Sequence, residues 1–188
     1  MPGMRWENVV PLIHSLINYR FIPFAVIIQC GGNDISLVPC GELLFRIKLT
    51  IAILSSMLPG TSLAWWSILP RMKWRYSENI RNMEITRKRL NRGVRSYLLK
   101  IGGYIIRHPD FDDKHPVLLK KDGVHLSFIA NDIFSTKYKV LSKHFWNTFI
   151  VWFILLIEIS KCLNECFVLL LPLLKILTPF HGANLKYG

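Results

Sequence analysis

The chain has little with which to hold a nucleotide or a zinc ion. It contains no GxxxxGK[ST] loop and no GxGxxG fingerprint, so the two common phosphate cradles are missing. Its four cysteines, Cys30, Cys40, Cys162 and Cys166, form no CxxC pair. The histidines His14, His108, His115, His144 and His181 show no paired ligand spacing. No metal and no cofactor is therefore expected. The thiols read as reduced or buried, in keeping with a cytoplasmic setting. Residues 1–8 carry Arg5 and Glu7 and lead into no long apolar run, so no signal peptide is expected. Acidic residues are few, 12 against 24 Lys and Arg, which leaves a formal net charge of +12.

Apolar residues are plentiful. They make up 51% of 188 residues, which excludes a disordered chain and suits one domain with an extension. Apolar residues at helical spacing predict helices over 7–19, 42–58, 79–100 and 126–142. Short β-branched or aromatic runs predict strands over 24–30, 62–69 and 103–107. Strands that alternate with helices imply an α/β fold, with a short parallel sheet and right-handed crossovers.

Two further stretches stand out. Between Arg71 and Arg107 lie eleven Lys and Arg but only two acids, Glu78 and Glu84. A solvated helix face is the plainer account of this segment. A nucleic-acid surface built on Arg87, Lys88, Arg89 and Arg92 is the sharper one. Residues 145–180 are strongly apolar, but Glu158, Lys161, Asn164 and Glu165 interrupt them before either half reaches the roughly 20 residues a membrane helix needs. They read as a hydrophobic helical extension over 144–188 that follows a domain over 1–143. Membrane association through 145–180 is the alternative.

The chemistry-bearing motifs fall at strand ends. Gly31-Gly32-Asn33-Asp34 ends the first strand, and Asp122-Gly123-Val124-His125 lies between the last strand and the last helix. Ligands of open α/β sheets bind beyond the carboxyl ends of the strands, so the two blocks can converge on one edge. VIIQCGGNDIS and KDGVHLS resemble the GxND and DxxH blocks of the SGNH (GDSL-type) hydrolases. GMRWENVVPLI, LPRMKWR and RKRLNRGV extend the resemblance to SGNH-like domains found in vertebrate transposable elements.

That resemblance implies a partial flavodoxin-like three-layer sandwich and serine-dependent hydrolysis of carboxylic esters. It implies His125 as the base, Asp122 as the residue that orients it, and Asn33 with the backbone N–H of Gly3 as oxyanion donors. The family's nucleophile lies in a GDS-type block at the end of its first strand, and the sequence shows no such block. No nucleophile is therefore assigned, and catalysis is expected to be impaired. Gly60-Thr61-Ser62-Leu63 looks like that block but opens a strand instead of following one. In the family's strand order, 2-1-3-4-5, the missing strand would lie beside residues 24–30. The apolar tail is expected to cover that open side.

Overall fold

The computed structural model of the chain describes residues 4–17, 23–111, 116–133, 136 and 167–172. A 3-10 turn (Trp6–Asn8) leads into α1 (Val9–Leu16), followed by β1 (Pro23–Gln29), α2 (Cys40–Met57), β2 (Ser62–Trp66), α3 (Ile80–Lys100), β3 (Tyr104–Ile106) and, near the C-terminus, β4 (Phe167–Pro172). A short helix covers 128–133. The sheet order is β3-β2-β1-β4. β1 pairs parallel with β2, and β2 pairs parallel with β3. The mixed α/β fold with a short parallel sheet is therefore as the periodicity indicates, with strand ends shifted by one to three residues.

Side chains alternate across the sheet. Val26, Ile28, Leu63 and Trp65 face the main core with Leu43, Ile47, Ile51 and Leu54 of α2, Leu90, Val94 and Leu98 of α3, and Val9 and Ile13 of α1. Ala25, Ile27, Ala64, Trp66 and Ile106 alternate with these and are buried too. A parallel strand with both faces covered reads as a continuous apolar run, which is the character of β1. Close helix packing shows at Gly93, where an added Cβ would stand 2.6 Å from Leu44 Cδ2.

Two expectations need correction. Part of the tail is not helical: Phe167–Pro172 forms β4, antiparallel to β1, in a register running from Pro23↔Pro172 to Gln29↔Phe167. An apolar run of that length satisfies the periodicity of a buried helix or a buried strand alike. The free edge of β1, with its unpaired N–H and C=O groups, decides for the strand. Among the described residues no helix is long and apolar enough to cross a membrane; most of 145–180 lies outside them. Cys30 is disulfide-bonded, whereas Cys40 is free, so four free thiols no longer speak for a reducing compartment.

α3 also braces the chain beyond β2. Arg87 is 3% exposed and donates from Nε to both carboxylate oxygens of Glu84 at 3.0 Å and from Nη1 to the Ile68 carbonyl at 2.6 Å. Asn91 donates to the same carbonyl at 3.0 Å, and its Oδ1 accepts from Ile68 N at 2.9 Å and Trp65 Nε1 at 3.2 Å. These contacts fix residues 67–71 as they leave the sheet.

Two outcomes are expected. Glu84→Gln strands the Arg87 charge in the core and lowers unfolding free energy by about 3–5 kcal/mol, measured by urea denaturation. Deletion of 144–188 removes β4 and bares β1, so the shortened chain should aggregate under light scattering at concentrations where the full chain does not. A shortened chain that is folded and more soluble would show that β4 covers nothing essential.

Candidate active site

The carboxyl ends of β1, β2 and β3 lie at one edge of the sheet, and the site is built there. Gly31 follows β1 and Cys30 with φ 96, a left-handed conformation that suits glycine. The turn closes through Asp34 N and Ile35 N, which donate to the Gly31 carbonyl at 3.2 and 3.3 Å. This turn sets Asn33 and Asp34 against the N-terminal segment. Asn33 Nδ2 donates to the Met4 carbonyl at 3.1 Å. Asp34 Oδ2 accepts from Trp6 N at 2.9 Å. Trp6 Nε1 in turn donates to Thr50 Oγ1 of α2 at 3.0 Å. The opening residues are thus tied to both motif side chains. Gly3, the expected second oxyanion donor, lies outside the described residues.

Asn33 has a second partner. Arg71 Nη1 donates to Asn33 Oδ1 at 3.0 Å, so the amide is held from both ends and Nδ2 is identified as its donor side. The guanidinium lies over the Trp74 ring, 5.5 Å from its centroid. It also lies against Gly32, where an added Cβ would stand 2.6 Å from Arg71 Nη2. Both glycines of the block therefore have work: the first turns the chain and the second admits the arginine.

The second motif reaches the same segment. Met72 N and Lys73 N donate to the Gly123 carbonyl at 2.8 and 3.2 Å. Gly123 has φ 71, and an added Cβ would be 3.0 Å from Met72 Cβ. Residues 71–73 therefore bridge the two blocks, with Arg71 on Asn33 and the next two amides on the Asp122–His125 loop. Lys120 N donates to the His125 carbonyl at 2.7 Å and closes that loop.

Within the loop, Asp122 does three things at once. Its Oδ1 accepts from Val124 N and His125 N, each at 2.9 Å, and its Oδ2 meets His125 Nδ1 at 2.6 Å. Desolvation pushes its pKa up, but the backbone bonds and the imidazole outweigh that and bring it down to about 2. Asp122 therefore stays ionised through the neutral range, and an ionised carboxylate accepts. His125 Nδ1 is then the donor, which leaves Nε2 as the basic nitrogen. The two side chains are 35% and 46% exposed for His125 and Asp122 respectively, so the pair is open to a ligand.

The remaining site residues sort by burial. Lys88, Arg89 and Arg92 are exposed on α3. Arg87 is not: its guanidinium is committed to Glu84 and Ile68, so it is corrected from a surface contact to a core brace. Ser62 begins β2, at the amino edge of the sheet, away from this site. Ser36 has φ 80 and a buried Oγ with no partner among the described residues. The sequence reading overlooked Arg71. Its place in LPRMKWR, just past a strand end, was the available signal. Among the described residues no group of three or more His, Cys, Asp and Glu could hold a metal ion. No family model matches the chain, and no curated protein matches it.

Asp34 supplies a pH test. Burial raises its pKa above 3.8, more than the Trp6 N–H bond and the Arg5 charge lower it. A raised carboxyl pKa gives stability that is present below the unfolded pKa and lost as pH rises through the folded one. The stability of the native chain relative to Asp34→Asn should therefore decline as pH climbs from about 3.8, read from paired urea titrations. A difference that stays flat or grows would contradict the assignment.

Proposed function

We propose that this chain is an SGNH-hydrolase-type, esterase-like domain that keeps the oxyanion asparagine and the Asp–His pair of that chemistry, with little hydrolytic turnover of its own. The observation that carries the reading is the bridge at 71–73. It ties Asn33 and the Asp122–His125 loop, two blocks far apart in sequence, to one short segment at the carboxyl edge of a parallel sheet.

In such a site a serine hydroxyl attacks the ester carbonyl. His125 takes the hydroxyl proton at Nε2 and returns it to the leaving alcohol. Asp122 keeps Nδ1–H directed at itself, as the 2.6 Å contact supports. Asn33 Nδ2, which carries a second hydrogen besides the one given to Met4, donates to the developing oxyanion. Loss of one such donor costs about 10²–10³ in rate. The reading assigns no serine. β4 runs antiparallel along the side of β1 where the family's nucleophile strand would lie, which supports a chain with impaired catalysis.

Purified chain incubated with p-nitrophenyl acetate and butyrate should release nitrophenol only slowly, and His125→Ala should bring the release to the solvent rate. Fast turnover abolished by a phosphonate at one defined serine would refute the impaired-enzyme reading. Turnover indifferent to His125→Ala, Asp122→Ala and Asn33→Ala would refute the site.

A second reading draws on α3. Arg81, Lys88, Arg92 and Arg95 are exposed and recur at spacings of seven, four and three, so they line one side of the helix over about 21 Å. Such a stripe suits the phosphates of a nucleic acid. Mobility shifts at low salt that weaken steeply with added salt would support it, and no shift at low salt would end it.

A further inference from the structure

A small hollow opens at the same sheet edge, lined by Gln29, Gly32, Ile68, Leu69, Arg71, Val124 and neighbours. Its walls come from both motif blocks and from the segment that bridges them. The only charged side chain in the lining is Arg71. Three contacts preorganise that guanidinium: the Asn33 Oδ1 acceptor, the Trp74 ring face and the bare Cα of Gly32. A cation held among apolar walls favours an anion, and a planar guanidinium favours a planar carboxylate that it can grip through two oxygens. Surrounding charge has the same sign. Lys73, Arg75, Lys120 and Lys121 are exposed on the flanking segments, where Asp122 is committed to its own loop. Anions would thus be drawn to this edge.

Size narrows the ligand further. The hollow offers about 20 Å³ to water-sized centres, and one water needs about 10–15 Å³ on that measure. It accepts a head group, not an acyl chain. The neighbouring Asn33 amide would meet a carbonyl nearby, since Arg71 grips the same side chain from the Oδ1 end.

We propose that Arg71 and this hollow bind the carboxylate head group of a small acid and, resting on the hydrolase reading above, that the esters suited to the site are half-esters of short dicarboxylic acids. The carboxylate sits on Arg71 and the ester carbonyl lies toward Asn33 Nδ2.

The test uses the full chain, monoethyl succinate, its neutral diester diethyl succinate, and inorganic phosphate, with calorimetry for binding and ethanol release for turnover. The half-ester should bind at least about tenfold tighter than the diester, the size expected of a charge-assisted hydrogen bond. Arg71→Gln should erase that preference, and Arg71→Lys should keep part of it. Gly32→Ala leaves the charge in place but pushes the guanidinium aside, so it should weaken half-ester binding with the circular dichroism spectrum unchanged. Equal affinity for half-ester and diester, or a preference that survives Arg71→Gln, would overturn the proposal. So would phosphate displacing the half-ester at equal concentration, which marks a bare anion site. Half-ester binding without ethanol release would sustain the carboxylate site and count against hydrolysis, which separates the two readings.

Discussion

Strand β1 has to be covered on every side. Its residues 24–28 are Phe-Ala-Val-Ile-Ile, and Ala25 to Ile28 are all at most 2% exposed. Burial of the faces is met by alternating side chains that meet helices on one side and further apolar groups on the other. Burial of the edges is a separate matter, because each edge presents backbone donors and acceptors that cost free energy if left dry. β2 satisfies one edge in parallel, and β4 satisfies the other in antiparallel sense. The antiparallel partner comes from the distant end of the chain. That long closure costs little more entropy than a shorter one, since the penalty grows only logarithmically with loop length. With β1 enclosed, its carboxyl end becomes a fixed platform for the Gly31 turn and everything attached to it.

The site depends on a relay of rigid contacts from that platform. α3 reaches over the sheet and pins the Ile68 carbonyl through Arg87 and Asn91. The chain then passes Pro70 and delivers Arg71 to Asn33, and the amides of 72 and 73 to Gly123. No element of the relay is long, and each link is a hydrogen bond with little freedom. That arrangement suits polar groups at the rim of a buried core, because a buried donor or acceptor without its partner costs more than the bond itself returns.

Charge is used in three ways that the net value of +12 conceals. Arg87 is neutralised inside the core by Glu84. Arg71 is held half-buried at the edge of the sheet, against an aromatic ring and an amide. Arg81, Lys88, Arg92 and Arg95 remain in solvent along one side of α3. Three arginines within one basic run thus have different roles, set by which side of the helix or loop each occupies.

The sequence by itself determined the local periods: the three parallel strands, the helices between them, and the two motif blocks that end up at one edge. Those follow from side-chain patterns of 3.6 and 2 residues and from Gly and Pro punctuation, all local properties. The close Asp122–His125 pair was also legible, since two residues three apart across a glycine turn meet by local geometry alone. Only the tertiary structure decided the fate of 167–172, because an apolar run is a helix or a strand according to what is free to pair with it. Only the tertiary structure turned Arg87 inward and brought Arg71 to Asn33 across thirty-eight residues of chain. Single-sequence patterns report which face is apolar. They do not report which distant group will share a buried hydrogen bond, and it is such bonds that assemble this site.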